Sequence, residues 1–217
     1  MGLGIAIFVG IVGFVGLVLY LLWLYEKKRT QQLLEIAEQL GLVFSPQPEG
    51  GLFESFAQFT LFNQGRGRKI FNVMSGETDE VTICIFDYQY TTGSGKHQHT
   101  HKLTIASLDS PRLLVLPQFS MRPEGFFDRL GSLFGFQDIN FDHHPEFSRR
   151  FVLKGPDEAA IRACFRPALL DYFASRQKIS VEAAPGRLIY YRNSRPKVED
   201  YPKLLEEAYQ VFGAIVD

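Results

Sequence analysis

The chain has 217 residues, of which 46% are hydrophobic and 22% are charged, and its formal net charge is −1. This composition is typical of a globular protein and excludes a disordered chain. Acidic and basic residues are interspersed, unlike the basic stripe of nucleic-acid-binding domains, so nucleic acid is not an expected partner. About 190 residues follow an apolar N-terminal segment, which suits one domain.

The N-terminal segment has no charged residue from position 3 to position 25. About 20 apolar residues at 1.5 Å per residue span a hydrocarbon core of roughly 30 Å. Tyr20, Trp23 and Tyr25 lie at the end of this segment, where amphipathic rings favour the headgroup region. A cleaved signal peptide would instead have a basic start, a shorter apolar stretch and small residues at its end. We therefore predict one transmembrane helix at residues 3–25.

Basic residues follow this segment directly: Lys27, Lys28 and Arg29, with no Lys or Arg before it. The positive-inside rule then predicts a single-pass protein of the cell inner membrane with a cytoplasmic C-terminal domain. Cys84 and Cys164 are each flanked by apolar residues, which agrees with small buried side chains in a reducing compartment.

The chain is predicted to have three parts: an anchor with its basic flank at 1–29, a juxtamembrane helix and linker at 30–51, and an α+β domain at 52–217. Apolar residues recur every three or four positions in the first part of the middle segment, which indicates a helix, and a Pro/Gly-rich run ends it. The domain then begins with short β-rich segments separated by turn residues, a pattern typical of an antiparallel meander. Strands are predicted at residues 56–62, 69–75, 81–90, 98–108 and 112–117.

The second half of the chain mixes helices and strands. A helix starting near residue 156 meets Pro167, which should kink or split it. The remaining predicted elements are a short helix at 123–134, extended segments at 138–142 and 147–153, hairpin strands at 178–183 and 187–192, and a closing amphipathic helix at 201–215. Strands before helices, without βαβ units, predict an α+β fold with a mostly antiparallel sheet packed against two or three C-terminal helices.

A histidine-rich segment is the sharpest candidate for metal binding, because His97, His99 and His101 alternate. Alternate side chains on a strand share a face about 6.6 Å apart, and two such histidines can share a zinc ion. Further ligands would have to come from elsewhere, for example from His143 and His144. A solvated, partly cationic strand end explains the same pattern without a metal, and we favour it.

Catalytic and cofactor-binding motifs with a known mechanism are absent from the sequence. The glycines at positions 93 and 95 favour a hairpin over a phosphate-binding loop, because Tyr90 and His97 occupy places that such a loop gives to Gly and to Ser or Thr. Asp87 and Glu146 are isolated acids, which we interpret as capping or ion-pair residues. The sequence therefore favours a non-catalytic protein without a cofactor.

Three stretches carry a resemblance: FNVMSG at 71–76, FDYQYTTGSGK at 86–96, and residues 138–150, from DINF through FSRR. In them the chain resembles an uncharacterised family of bacterial single-pass membrane proteins. The resemblance covers most of the α+β domain. It implies a bacterial membrane protein and assigns no catalytic residue.

These observations predict a membrane-tethered, non-catalytic domain that contacts protein or lipid at the cytoplasmic membrane surface. The expected partners are the lipid bilayer, through residues 3–25, and a membrane-associated protein. The turns at 91–97 and 184–186 are the predicted contact loops, because loop tips carry recognition more often than packed strands do. Two alternatives stay open: a metal-dependent hydrolase that uses the three alternating histidines, and a pleckstrin-homology-like lipid binder, suggested by strands followed by a final helix.

Overall fold

A computed structural model describes residues 2–125 and 136–216 of the chain. Helix α1 (Gly2–Gln39) is continuous over 38 residues, or about 57 Å, so the predicted transmembrane segment and juxtamembrane helix are one helix. The described apolar side chains of α1 between Phe8 and Tyr25 are exposed, whereas Leu33 and Ala37 in its second half are fully buried. Within the described residues, α1 is the one helix long and apolar enough to cross a membrane by length and composition.

An antiparallel sheet of eight strands, in the order β1-β2-β3-β4-β8-β7-β5-β6, forms the centre of the described part. The strands are β1 (Val43–Ser45), β2 (Arg66–Glu77), β3 (Thr82–Thr92), β4 (His99–Asp109), β5 (Phe119–Pro123), β6 (Phe151–Lys154), β7 (Ile179–Ala184) and β8 (Arg187–Arg192). The later helices are α2 (Pro145–Ser148), α3 (Glu158–Cys164), α4 (Pro167–Ala174) and α5 (Tyr201–Val216). Short 3-10 helices occur at Glu54–Phe56, Thr60–Asn63, Gly95–His97, Pro111–Leu113 and Val198–Asp200.

The two faces of the sheet are covered by different layers, because side chains alternate along each strand. On β3, Ile83 and Ile85 lie on the helix face, in a core closed by the second half of α1 and by α3, α4 and α5. Phe86, Tyr88 and Tyr90 lie on the opposite face, the loop face. Residues 52–64, here named the cover segment, close that core.

The predicted α+β class is confirmed, with the long helix first, an antiparallel sheet and C-terminal helices. Pro167 does split the predicted helix, into α3 and α4, and Asp157 accepts a hydrogen bond from the amide of Ala160 at the start of α3. Residues 30–51 contribute to the same core and, through β1, to the same sheet. Cys84 and Cys164 are half-buried free thiols packed on opposite faces.

The predicted strand at 56–62 is wrong, since two 3-10 helices occupy this region. Phe56, Phe59 and Phe62 are all buried at a spacing of three residues, which suits a helical turn rather than an alternating strand. The aromatic content of the segment indicates burial, but not the direction from which the chain covers the sheet.

The other errors in the predicted strands arise where a proline starts a helical turn or where a segment does not pair fully with the sheet. The segment 112–117 begins with a 3-10 helix that starts at Pro111, and α2 replaces the first residues of the extended segment predicted at 147–153. Residues 138–142 form no strand, although the amide of Ile139 bonds to the carbonyl of Leu153. Most of the helix predicted at 123–134 lies outside the described residues.

Candidate functional site

Helix α1 meets the sheet through a cluster of charged and polar side chains, here named the junction cluster, in which every member except the exposed Lys102 is buried or half-buried. Its members are Glu26, Arg29, Asn72, Asp87, Lys102, Thr104, Arg195 and Tyr201. They come from α1, from strands β2, β3 and β4, from the loop after β8 and from the start of α5. Segments far apart in sequence therefore converge where the apolar half of α1 ends.

Asp87 lies at the centre of the cluster and is fully buried. Its carboxylate accepts hydrogen bonds from Asn72 Nδ2 at 3.1 Å, Thr104 Oγ1 at 2.7 Å and the Tyr201 hydroxyl at 2.7 Å. A buried carboxylate without partners would cost several kcal/mol, and these donors offset that cost. Burial and the neighbouring Asp87 charge raise the pKa of Tyr201 well above its usual value, so its hydroxyl stays a donor.

Two arginines supply the positive charge that Asp87 needs. Arg29 Nε lies 3.4 Å from Asp87 Oδ2, and Arg195 Nη1 lies 3.5 Å from the same oxygen. The guanidinium of Arg29, only 5% exposed, also donates to the carbonyl of Pro196 and to the hydroxyl of Tyr201, both at 3.0 Å. Arg29 belongs to the basic flank that predicts orientation, and in the folded protein it also binds α1 to the sheet.

Glu26, the first residue after the apolar segment, completes the cluster at its outer edge. Its carboxylate binds Arg195 through two hydrogen bonds of 2.8 and 3.0 Å, and Lys102 through one of 2.9 Å. Burial alone would raise the pKa of Glu26, but the donors on Arg195 and Lys102 hold that pKa down at about 2. Ion pairs therefore bind the first helical turn after the apolar segment to β4 and to the loop after β8.

A second buried carboxylate, Glu182 on β7, lies on the loop face. It accepts hydrogen bonds from the amides of Thr60 and Leu61, from Arg122 Nη2 at 2.7 Å and from the Tyr191 hydroxyl at 2.8 Å. Together these bonds hold the cover segment against the strands.

The predicted histidine strand is only partly observed. His99 and His101 belong to β4, but His97 ends the 3-10 helix Gly95–His97 in the hairpin, so the three do not alternate on one strand. The hairpin turns at Gly93 (φ 73°), where a side chain would clash with the carbonyl of residue 97.

His101 stacks on Tyr90, with ring centroids 4.6 Å apart, and its Nε2 lies 2.8 Å from Thr92 Oγ1. His99 packs edge-on against His101 at 4.5 Å. Burial, and to a lesser extent His99, lower the pKa of His101. The pair thus extends the aromatic row that Tyr88 and Tyr90 begin.

Metal binding by these histidines stays a prediction. In residues 2–125 and 136–216 no three His, Cys, Asp or Glu side chains form a group that could hold a metal ion. His144, one of the suggested additional ligands, lies beside Asp171 with Nδ1 3.4 Å from its carboxylate, next to α2.

Charge is distributed unevenly along β2, β3 and β4. Residues 55–76 and 88–108 contain no Asp or Glu. The exposed basic side chains within these stretches are Arg66, Arg68, Lys69, Lys96 and Lys102. Together with the hairpin at 93–98, they are here named the basic end. The exposed β2–β3 turn at the other end, here named the acidic end, carries Glu77, Asp79 and Glu80.

The contacts of helix α1 show which end of the sheet, basic or acidic, lies toward the apolar half of the helix. Thr30 contacts Asn72 through its hydroxyl at 3.3 Å, and Leu42 packs against Gly76, so α1 and β2 run in the same direction. Since Glu26 contacts Lys102, the apolar half of α1 continues past the basic end. The acidic end lies on the opposite side.

The two predicted contact loops consequently lie at opposite ends of the sheet. Residues 91–97 belong to the basic end and are mostly exposed. In the 184–186 turn, Ala184 is buried and the amide of Gly186 bonds to the carbonyl of Leu113. Leu114 and Val115 beside this turn are 63% and 88% exposed, although both are apolar.

Comparison with known proteins gives one informative likeness. No family model matches the chain, and no curated protein matches its sequence. The fold is similar to that of the mycobacterial trehalose monomycolate transport factor A, TtfA, with a TM-score of 0.63 at 10% sequence identity. The match covers 86% of this chain and 93% of the TtfA chain. At this identity the two share a fold, and α1 is the part of this chain that fits a single-pass membrane protein.

Proposed function

We propose that this protein is a membrane-anchored, non-catalytic factor of the inner membrane. In this proposal α1 crosses the bilayer once, and the junction cluster holds the domain in a fixed orientation at the cytoplasmic surface. The domain binds a membrane-associated protein through exposed apolar side chains at the end of the sheet away from the apolar half of α1.

The junction cluster is the observation that carries this proposal. A domain that only needed a tether could hang from a flexible Gly- or Pro-rich linker. Here α1 is unbroken, and Glu26 and Arg29 bind side chains from the sheet within one helical turn of the apolar segment. Confinement at the membrane raises the effective concentration of membrane partners, and a fixed orientation presents one chosen surface to them.

The likeness to TtfA supports a role as an accessory factor rather than an enzyme, because that protein is named as a transport factor. The lysine pair after the apolar segment, Lys27 and Lys28, supports the cytoplasmic side. We propose on these grounds that the domain assists a membrane process by binding a protein component of it.

The partner surface is proposed at the exposed apolar residues Leu114 and Val115, with Pro185 of the neighbouring turn. These residues lie on the side of the sheet away from the apolar half of α1, where the soluble part of a membrane protein can reach them. Exposed apolar side chains that adjoin one another mark interaction sites more often than isolated ones.

A photo-cross-linking amino acid at Val115 of the full chain tests this surface in cells. We expect adducts with a membrane-associated protein from position 115, and none from the exposed control position Glu206 on α5. Adding Leu114→Asp to the position-115 variant should abolish the adducts while leaving the melting temperature unchanged. Equal adducts from both positions, or adducts that survive Leu114→Asp, would contradict the proposed surface.

Orientation is tested by fusing a reporter that is active only in the periplasm to the C-terminus. We expect no reporter signal, and strong activity would overturn the cytoplasmic placement. Metal-dependent turnover of a generic phosphoester or ester by the purified protein would instead favour the hydrolase hypothesis.

A further inference from the structure

We infer that the basic end is a docking surface for anionic lipid headgroups of the same bilayer that α1 enters. The hairpin at 93–98 then lies against lipid phosphates, and the domain is held by two contacts, α1 and this hairpin. The inference rests on the proposed insertion of α1.

The fixed junction sets the height of the hairpin relative to the bilayer. From Lys102, which contacts Glu26, β4 extends back to His99, about 10 Å at 3.3 Å per residue. Helix α1 covers about 9 Å in six residues at 1.5 Å per residue, which leads from Glu26 to the level of Tyr20. Tyr20 and Trp23 stack on each other at 6.0 Å and are suited to the headgroup region. The hairpin tip therefore reaches the level of the lipid headgroups.

The charges at the basic end are available to lipid phosphates. Lys69 and Lys96 are exposed, and neither ammonium group forms a hydrogen bond or ion pair within the part of the chain that the structure describes. Arg66 binds the carbonyl of Gly93 at 2.7 Å and the side chain of Gln98 at 3.2 Å, so it connects β2 to the hairpin. Lys27 and Lys28 on α1 are also exposed, and they follow Glu26, which contacts Lys102 of the basic end.

The acidic end is too far from the bilayer to oppose this attraction. Lys69 and Glu77 are separated by about 26 Å along β2, at 3.3 Å per residue. Electrostatic attraction falls off over a Debye length of about 10 Å at 0.1 M salt. Basic side chains therefore lie within range of an anionic surface, while Glu77, Asp79 and Glu80 lie outside it.

Hydrogen exchange of the full chain in lipid nanodiscs tests the inference. We expect the amides of residues 93–98 to exchange several-fold more slowly in discs that contain phosphatidylglycerol than in discs of phosphatidylcholine alone. The turn at 77–81 should exchange equally in both. The double variant Lys69→Gln/Lys96→Gln should lose the difference, whereas the matched control Glu77→Gln/Asp79→Asn should retain it.

Equal exchange of residues 93–98 in both kinds of disc, or a lipid effect that survives Lys69→Gln/Lys96→Gln, would overturn the inference. Both substitutions change exposed side chains without bonds, so the melting temperature should match that of the wild type. Failure of the lipid contact alone would leave disc assembly and cross-linking from Val115 intact. If α1 does not insert, the protein will not assemble into discs of either composition, and the proposed function fails with the inference.

Discussion

Asp87 and Glu182 are two fully buried carboxylates of one sheet, and they hold different parts of the molecule together. Within the described residues, the carboxylate of Asp87 on the helix face is bound by side chains, among them two arginines. Glu182 on the loop face is bound by the backbone amides of Thr60 and Leu61, by the guanidinium of Arg122 and by a tyrosine hydroxyl. The first carboxylate joins a helix that leaves the domain, and the second closes the domain over its own core.

This difference shows how similar chemistry serves two purposes. Side-chain partners drawn from α1, β4 and α5 define one relative position of those elements, because each hydrogen bond depends on the direction of both groups. The backbone amides of Thr60 and Leu61 instead bind Glu182 only while the cover segment lies over the sheet. We therefore expect loss of Asp87 to disturb the position of α1, and loss of Glu182 to open the loop face.

The largest effect is expected for Asp87→Ala, which leaves Arg29 buried beside no carboxylate. Breaking a buried ion pair typically costs about 3–5 kcal/mol, and we expect the free energy of unfolding to fall by that amount. Denaturation of the full chain in detergent micelles, followed by near-ultraviolet circular dichroism of the tyrosines, measures it. The control Asp79→Ala, in the exposed β2–β3 turn, should change stability by about 0.5 kcal/mol or less. Similar losses in both variants would contradict the central role of Asp87.

A smaller and more local effect is expected for Glu182→Gln. The amide keeps one acceptor oxygen but loses the charge that Arg122 and the two backbone amides bind, so we expect a loss of about 2–3 kcal/mol. Limited proteolysis should show faster cleavage within residues 52–64 in this variant. In Asp87→Ala, measured below its melting temperature, cleavage there should stay slow. Equal cleavage in both variants would mean that the two carboxylates stabilise one cooperative unit.

The sequence permits part of this comparison to be predicted. Along β3, Ile83, Ile85 and Asp87 have the same parity, so the alternation of the strand already places a charged side chain among core residues. The antiparallel sheet, the split at Pro167 and the closing helix follow from local periodicity and proline chemistry in the same way. Isolated acids at inward positions are the signal that could have identified the junction cluster.

The partners of Asp87 could not be predicted, because Arg29 and Arg195 come from opposite ends of the chain. Their convergence depends on tertiary packing, which local patterns do not encode. The strand predicted within the cover segment is wrong for the same reason. Its phenylalanines at 56, 59 and 62 indicate burial, but not the direction in which the chain crosses the sheet. The basic end could be predicted in part. The stretches without acidic residues are visible in the sequence, but their position beside α1 can be read only from the strand register.

A third effect, smaller still, is expected for Glu26→Gln at the outer edge of the junction cluster. Glu26 is partly exposed, and ion pairs of this kind typically contribute about 1 kcal/mol or less. Because the folded-state pKa of about 2 lies below the ordinary value of 4.5, the unfolded chain binds more protons between these values. The contribution of Glu26 is therefore complete above about pH 4.5 and is lost as the pH falls toward 2. Acid denaturation should show a shallower loss of stability in Glu26→Gln than in the wild type over this window, and identical slopes would contradict it.

The smallest effect is expected for the triple variant His97→Ala/His99→Ala/His101→Ala, which tests the metal prediction directly. The full chain is required, because removing residues 1–29 would also remove Arg29 from Asp87. We expect the wild type to purify without stoichiometric zinc, as measured by elemental analysis, since His97 lies off the strand that carries the other two histidines. The variant loses the stacking of the partly exposed His101 ring on the buried Tyr90, so we expect a destabilisation of about 0.5 kcal/mol. Tight zinc binding that disappears in the variant would show that the hairpin rearranges around a metal, and it would favour the hydrolase over the non-catalytic anchor.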